Sequence, residues 1–243
     1  CKTMEELRRH QLERLAAGFR MFSHFGYDEG IAGHITLRDP EFPHYFWVNP
    51  FGMHFGQICI SDLILVDRDG NIVQGEGKML NTAAFAIHSR LHEARSDVNA
   101  AAHSHSMYGK SFSTLGRLLE PITQDSCAFY EYHVLFDDFT GVVLETDEGD
   151  RIAKALGDKK AAILKNHGLL TTGESVDAAL WAFLSMDRCC QSQLIAESAG
   201  QMERIADDVA ELTRDQVGSE FAMWASFQPI YDLMLEKDDS FLN

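Results

Sequence analysis

Apolar residues recur at helical spacing in several stretches of this chain, with short clustered or alternating runs between them. In residues 3–25, Leu12, Leu15, Phe19 and Phe22 share one stripe, Thr3 with Glu6 forms a capping box, and Gly26 supplies a stop. A helix is predicted there. Strand-like runs follow. Ile35 and Leu37 lie on one face after a glycine loop at Gly30 and Gly33. Tyr45-Phe46-Trp47-Val48 closes on the turn Asn49-Pro50-Phe51-Gly52, and Leu63-Ile64-Leu65-Val66-Asp67 closes on the hairpin-type turn Arg68-Asp69-Gly70-Asn71, with Ile72-Val73 returning.

Residues 81–94 carry Ala84, Ile87, His88 and Leu91 on one helical face. Residues 97–105 read as a strand and 106–115 as a helix, whereas 122–136 shows no clear period. A short helix over 146–156 stops at Gly157; strands at 161–165 and 169–172 flank the turn Asn166-His167-Gly168. Ser175 caps a long helix to about Ala199, stopped by Gly200. Thr213 with Gln216 forms a second capping box, opening a helix through Val217, Phe221 and Trp224 that Pro229 is expected to bend or end. The acidic tail, 236–243, is expected to be mobile. This order predicts one α/β domain over residues 1–243, with a mainly antiparallel or mixed sheet covered by helices and a C-terminal helical extension at 201–243.

Charge narrows the partners. Acidic residues number 37 and basic ones 21, a net charge of −16. That disfavours nucleic acid and anionic membrane surfaces, while a small anion needs only a local positive site. No apolar run reaches the roughly 18 residues of a membrane span, and the polar start, Cys1-Lys2-Thr3-Met4-Glu5-Glu6, lacks a signal-peptide pattern. The five cysteines (Cys1, Cys59, Cys127, Cys189, Cys190) show no C-x-x-C spacing, which predicts reduced thiols in a cytoplasmic protein, with Cys189 and Cys190 as packing residues.

The chemistry concentrates on histidine. His103 and His105 are two apart, so on a strand they point to one face. A third, His167 in its Asn-His-Gly turn, completes three ligands that grip one metal ion and leave a position open, the layout of a catalytic zinc-type site. The plainer alternative is two hydrogen-bonded, partly buried histidines and an unrelated turn. The glycine loop is either an anion cradle or a simple turn.

Three ordered segments carry a family resemblance: Gly30-Ile31-Ala32-Gly33-His34-Ile35-Thr36-Leu37-Arg38, Arg95-Ser96-Asp97-Val98-Asn99-Ala100-Ala101-Ala102-His103-Ser104-His105 and Lys165-Asn166-His167-Gly168-Leu169-Leu170. Together they resemble the class II aldolase/adducin family over roughly residues 5–200. The resemblance implies a three-layer α/β/α fold around a central, mainly antiparallel sheet. It implies a divalent metal, usually zinc (Zn2+, with Mn2+, Fe2+ or Co2+ as alternatives), held by His103, His105 and His167. It also implies a homo-oligomer, commonly a homotetramer, with active sites between subunits. Catalytic members include sugar-phosphate aldolases, an epimerase, a dehydratase and aromatic-acid decarboxylases; adducin heads keep the fold without the activity.

The departures redirect the substrate. Where the family's aldolases carry a Pro-Ser-Ser-Glu-like segment, this chain has Asn81-Thr82-Ala83-Ala84, which sets Ala84 in the place of the general acid/base glutamate. His34 replaces an asparagine of the glycine-rich phosphate loop, and Phe51 replaces a small hydroxyl residue. A phosphorylated sugar is therefore disfavoured, and Gly33, His34, Arg38, Phe51 and Thr82 become the candidate substrate-binding residues. Phe46 and Trp47 are either further markers of a bulky substrate or plain core.

A Lewis-acid metal stabilises an enolate without a carboxylate base, which suits a lyase of aldolase or decarboxylase type acting on a non-phosphorylated carbonyl or carboxylic acid compound. His133, Tyr132 and Tyr231, the last reaching into a neighbour, are candidate proton donors. Arg38 is a candidate partner for a substrate carboxylate, or a member of a surface salt bridge. Asp125 is a candidate hydrogen-bond partner of a metal-holding histidine, or a solvated carboxylate. Two other functions stay open: a non-catalytic adducin-like assembly module, and a Lewis-acid isomerase or cyclase.

Overall fold

The computed structural model describes residues 3–142 and 146–243; Cys1 lies outside them. Eight strands form one sheet: β1 (His34–Arg38), β2 (Phe46–Val48), β3 (Ile64–Val66), β4 (Ile72–Gln74), β5 (Ala100–Ser104), β6 (His133–Phe136), β7 (Ala161–Leu164) and β8 (Gly168–Gly173). Their order is β4-β3-β2-β1-β5-β8-β7-β6, and every neighbouring pair is antiparallel except β6 with β7. With one parallel pair, at an edge, the sheet is mainly antiparallel, as expected.

Helices cover both faces, as expected of a class II aldolase-like fold. On one side lie α1 (Met4–His24), α6 (Val176–Ala199) and α8 (Glu220–Lys237); on the other lie α2 (Thr82–Ala94) and α5 (Thr146–Leu156). The strand alternation sorts the core. Ala100 and Ala102 of β5 face α6, while Ala101 faces α2 and α5 beside Ile87, Leu91 and Ile152. Helix α6 is buried on most sides because α8 packs over it, which places Cys189 and Cys190 in the interior.

Local signals explain the well-matched elements. Thr3 Oγ1 accepts from the Glu6 amide at 3.1 Å to open α1, and Ser175 Oγ accepts from Ala178 N at 3.1 Å to open α6. The Asn81 side chain does the same for α2, accepting from Ala83 N at 3.0 Å. Residues 122–136, where no period was legible, hold the short helix α4 (Gln124–Cys127) and then β6.

Four expectations are corrected. The strand read over 97–105 is only Ala100–Ser104, because the chain turns at His105 and Ser106 to enter α3 (Met107–Ser113). Thr213 does not open a helix: α7 (Asp207–Val217) already runs through it, and Thr213 Oγ1 donates to Val209 O at 2.7 Å within that helix. The true start of α8 is Ser219, whose side chain accepts from Ala222 N at 3.1 Å. Pro229 lies inside α8 without ending it. The tail is tied down: Phe241 is fully buried, and the Asn243 carbonyl accepts from Ser61 N at 2.9 Å.

The contact between α2 and α5 depends on one glycine. A Cβ at Gly149 would collide with the Ala86 carbonyl oxygen. Gly149→Ala should therefore cost about 1–3 kcal/mol through overpacking, a fall in Tm of roughly 2–12 °C for a domain of this size. An unchanged melting curve would contradict the close crossing.

Candidate metal centre

The ends of β5 and β8 meet α3 and the Asn166–Gly168 turn at one end of the sheet. His103 is the fourth residue of β5 and points to the α2 face, opposite His34 of β1. His105 follows the strand end, so the two do not share one strand face as their spacing predicts, yet their rings remain 5.2 Å apart. Asn166 takes a left-handed conformation, φ 58°, and swings His167 back over β5. Gly168 has to be small, because a Cβ there would lie 2.9 Å from the Ser104 carbonyl oxygen.

One ring nitrogen from each of His103, His105 and His167 falls within 4.8 Å of the others. The donor set fits a divalent transition metal. His103 Nδ1 donates to the Leu169 carbonyl at 2.8 Å, which leaves Nε2 as the free lone pair. That carbonyl fills the orienting role for which Asp125 was a candidate; Asp125 sits on α4 and does not line this site. Burial keeps the rings neutral, as ligation needs: His167 is pushed down to about 4, and His103 well below the usual imidazole range.

Beside the triad opens a cavity of about 830 Å³. Its walls are Ile31, Phe51, Met79, Leu80, Ile87, Phe139 and Val142, with Thr82, Ala83, Thr114 and Asn166 as smaller or polar members. Gly33, His34, Phe51 and Thr82, all singled out from sequence, line it. Among the described residues that line it there is no carboxylate and a single ammonium or guanidinium group, Lys110, which is paired with Glu29 at 2.6 Å.

Several candidates lie elsewhere. Arg38 donates to the backbone carbonyls of Pro43, His92, Arg95 and Val98, so it clamps the chain and has no free fork for a substrate carboxylate. His133 accepts from Leu119 N at 2.9 Å and donates to Phe129 O at 2.6 Å, which uses both ring nitrogens in the fold. Tyr132 lies under Arg214 and Lys160. Tyr231 stacks on Arg14, whose Cζ is 3.5 Å from the ring centre, and does not line the cavity of its own chain. Phe46 and Trp47 are core; the Trp47 indole donates to Asp39 at 2.8 Å.

Ala84 lies on α2, with its methyl group turned away from the cavity. It packs against Phe46, Val48, Ile64 and Val66, and it is Thr82, Ala83 and Ile87 that turn toward the cavity from α2. None of these four side chains is a carboxylate, so α2 offers the cavity no general base of that kind.

Sequence reasoning missed Lys110 and the pair His88 and His92. Lys110 had a signal in its place on the helix leaving the His-x-His segment. His88 and His92 are one turn apart on the buried face of α2, facing His34 and Thr36 two apart on β1. His34, His88, His92, His103, His133 and His167 are all pushed below the usual imidazole range, with burial the leading cause. The unfolded chain takes up protons below about pH 6.5 while these sites resist them. Stability is therefore complete above that pH and is lost as pH falls toward 4. Melting the metal-free protein at pH 7.5 and pH 5 should show the lower Tm at pH 5; equal values would contradict neutral burial.

Comparison with known proteins places the chain. The model of the class II aldolase and adducin N-terminal domain matches residues 13–194. Decarboxylase NovR of Streptomyces niveus is 47% identical, over 97% of this chain and 88% of that one. The Streptomyces roseochromogenus subsp. oscitans protein called 4-hydroxy-3-prenylphenylpyruvate oxygenase/4-hydroxy-3-prenylbenzoate synthase is 46% identical, over 97% and 86%. Among solved structures, an L-fuculose 1-phosphate aldolase from Glaciozyma antarctica PI12 superposes with a TM-score of 0.93 at 43% identity, covering 99% of this chain and 95% of that one.

Proposed function

The chain belongs to the class II aldolase and adducin family, and from that premise we propose that it is a metal-dependent lyase of decarboxylase type. Its substrate is a bulky, non-phosphorylated hydroxy-aromatic or β-keto acid. The observation that carries this reading is the apolar cavity laid against three neutral histidines, with no carboxylate among its described lining. His103, His105 and His167 would hold the metal, which would supply a Lewis acid for negative charge on a substrate oxygen.

The protein's own groups do the rest. Ile31, Phe51, Leu80 and Phe139 hold an aromatic or prenyl-like body away from water. Lys110 pairs with the substrate carboxylate at the cavity wall. In a β-keto acid the C–C electron pair moves onto the carbonyl oxygen as carbon dioxide leaves, and the resulting enolate takes one proton at carbon. In a hydroxy-aromatic acid that proton is added first, to the ring carbon bearing the carboxylate, and the pair then restores the ring. In neither case does a base have to remove a carbon-bound proton. Tyr231 serves a neighbouring copy's cavity if it acts as the proton donor, because its own ring is committed to Arg14. The names of the two Streptomyces relatives, a decarboxylase and a benzoate synthase, support an aromatic acid.

One observation favours a second reading. The second relative is called an oxygenase, and three imidazoles also suit iron. The two readings separate in one experiment. The protein is loaded with zinc or with ferrous iron, then given hydroxybenzoates and β-keto acids for the lyase, 4-hydroxyphenylpyruvate for the oxygenase, or L-fuculose 1-phosphate, with and without oxygen. Carbon dioxide released without oxygen supports the lyase; release that needs oxygen and iron supports the oxygenase. Cleavage of the sugar phosphate alone would overturn the proposal. In the lyase case Lys110→Met should raise KM about tenfold, roughly 1.4 kcal/mol of lost binding, with kcat changed much less; an unchanged KM would remove Lys110 from substrate binding.

A further inference from the structure

A buried polar chain runs from the metal-site cavity into the protein, and its hydrogen bonds can be assigned a direction. His34 Nδ1 lies 2.6 Å from His88 Nε2, His88 Nδ1 lies 2.6 Å from Thr36 Oγ1, and Thr36 Oγ1 lies 2.9 Å from His92 Nε2. The last link is His92 Nδ1 to the Val98 carbonyl, 3.2 Å. All four side chains are buried.

A carbonyl only accepts, so His92 Nδ1 carries a proton. His92 is neutral, pushed down to about 3 by burial and by the Arg38 guanidinium, which donates to the same Val98 carbonyl at 3.0 Å. Its Nε2 is therefore bare and takes the one proton of the Thr36 hydroxyl. The Thr36 oxygen must then accept from His88 Nδ1–H. That leaves His88 Nε2 bare, so His34 Nδ1 donates to it. The remaining nitrogen, His34 Nε2, has no hydrogen-bond partner among the described residues. The His34 ring borders the cavity, its centre 5.0 Å from that of His103.

We infer that the Val98 carbonyl, acting through His92, Thr36 and His88, fixes His34 as its Nδ1–H tautomer, so that a bare Nε2 is a built-in hydrogen-bond acceptor beside the metal-binding histidines, matched to a substrate with a hydroxyl donor. The substrate half of this inference rests on the hydroxy-acid reading above. His34 is the group that touches substrate; Thr36, His88 and His92 are positioning residues. The opposite tautomer would present an N–H and select a carbonyl or ether instead. A site built to accept from a hydroxyl discriminates strongly against an analogue that lacks it, because its acceptor is left unpaired.

The test is a long-range proton–nitrogen correlation on the zinc-loaded protein labelled with nitrogen-15 in histidine, with each ring assigned by its loss in a single variant. His34, His88 and His92 should all show a protonated Nδ1 and a bare Nε2; a protonated His34 Nε2 overturns the inference. In Thr36→Val the chain is cut, and His34 should relax to a mixture of tautomers while zinc per chain is unchanged. A His34 still wholly Nδ1–H there overturns the relay. The parent spectrum decides the tautomer even if that variant fails to fold.

The probes for the acceptor are 4-hydroxybenzoate and its methyl ether, 4-methoxybenzoate. The parent should bind the hydroxy acid at least about tenfold more tightly, with the ratio falling toward one in Thr36→Val; equal binding by the parent overturns the acceptor role. No turnover is needed. A protein that passes these tests yet releases no carbon dioxide sinks the lyase proposal alone, and a reversed tautomer in an active lyase sinks this inference alone.

Discussion

Replacing His103 and His105 together by alanine should take the bound transition metal from about one per chain to none, and product formation should fall by about a thousandfold or more. Removing two of three ligands leaves one imidazole, which does not hold an ion against dialysis. Losing a Lewis acid worth several kcal/mol of charge stabilisation corresponds to a rate factor of that size, since each 1.36 kcal/mol is tenfold. The comparison uses elemental mass spectrometry and a carbon dioxide assay on protein purified without chelator. The apo parent is the control for folding: its Tm and that of the variant should agree once the metal's own stabilisation is absent. Metal retained at full stoichiometry in the double variant would place the ion elsewhere. Full activity in a metal-free variant would remove the metal from the reaction.

The residues that make this prediction possible were legible in the sequence, because their signal is local. His103, His105 and His167 stand in short segments whose composition sets strand, exit and turn, and the structure brings their ring nitrogens together. Helices α1 and α6 were equally readable: each has a hydroxyl cap, a stop glycine and a long apolar stripe. What was hidden depends on contacts between distant segments. The cavity wall comes from Ile31 after α1, Met79 before α2 and Phe139 after β6, and no period in the sequence joins them. The start of α8 was misplaced because Thr213 and Gln216 fit a capping box that an ongoing helix overrides, while Gly218 and Ser219 make the actual break. Arg38 shows the same limit. Its charge suggested a ligand, but four nearby carbonyls consume its donors. Which residues of α2 face the cavity likewise depends on how the helix meets β2 and β3, and Ala84 is buried against those strands.

Asp177→Ala should be the most destabilising single change away from the cavity, at about 3–5 kcal/mol. Asp177 lies in the first turn of α6 with 5% of its surface exposed, and its partner Arg14 of α1 has 6% exposed. Both the Nε and the Nη2 of Arg14 donate to Asp177, Gln228 of α8 donates to it at 3.0 Å, and Tyr231 covers the guanidinium. One buried cluster thus fastens three helices. Removing the carboxylate strands a buried cation, and desolvation makes that loss larger than the net worth of the pair. At this chain length the cost corresponds to a fall in Tm of roughly 6–20 °C. The double variant Arg14→Met/Asp177→Leu should recover most of it, because no charge is then left unpaired; a double variant as unstable as the single one would mean the charges themselves bind the helices. The same cluster separates structure from chemistry at Tyr231. Tyr231→Phe keeps the ring over Arg14, so its Tm should stay within a few degrees of the parent. A kcat that also stays within twofold would leave the tyrosine as a packing residue. A tenfold fall in kcat at unchanged Tm would instead show that its hydroxyl acts in a neighbouring copy's cavity, since Tyr231 does not line the cavity of its own chain.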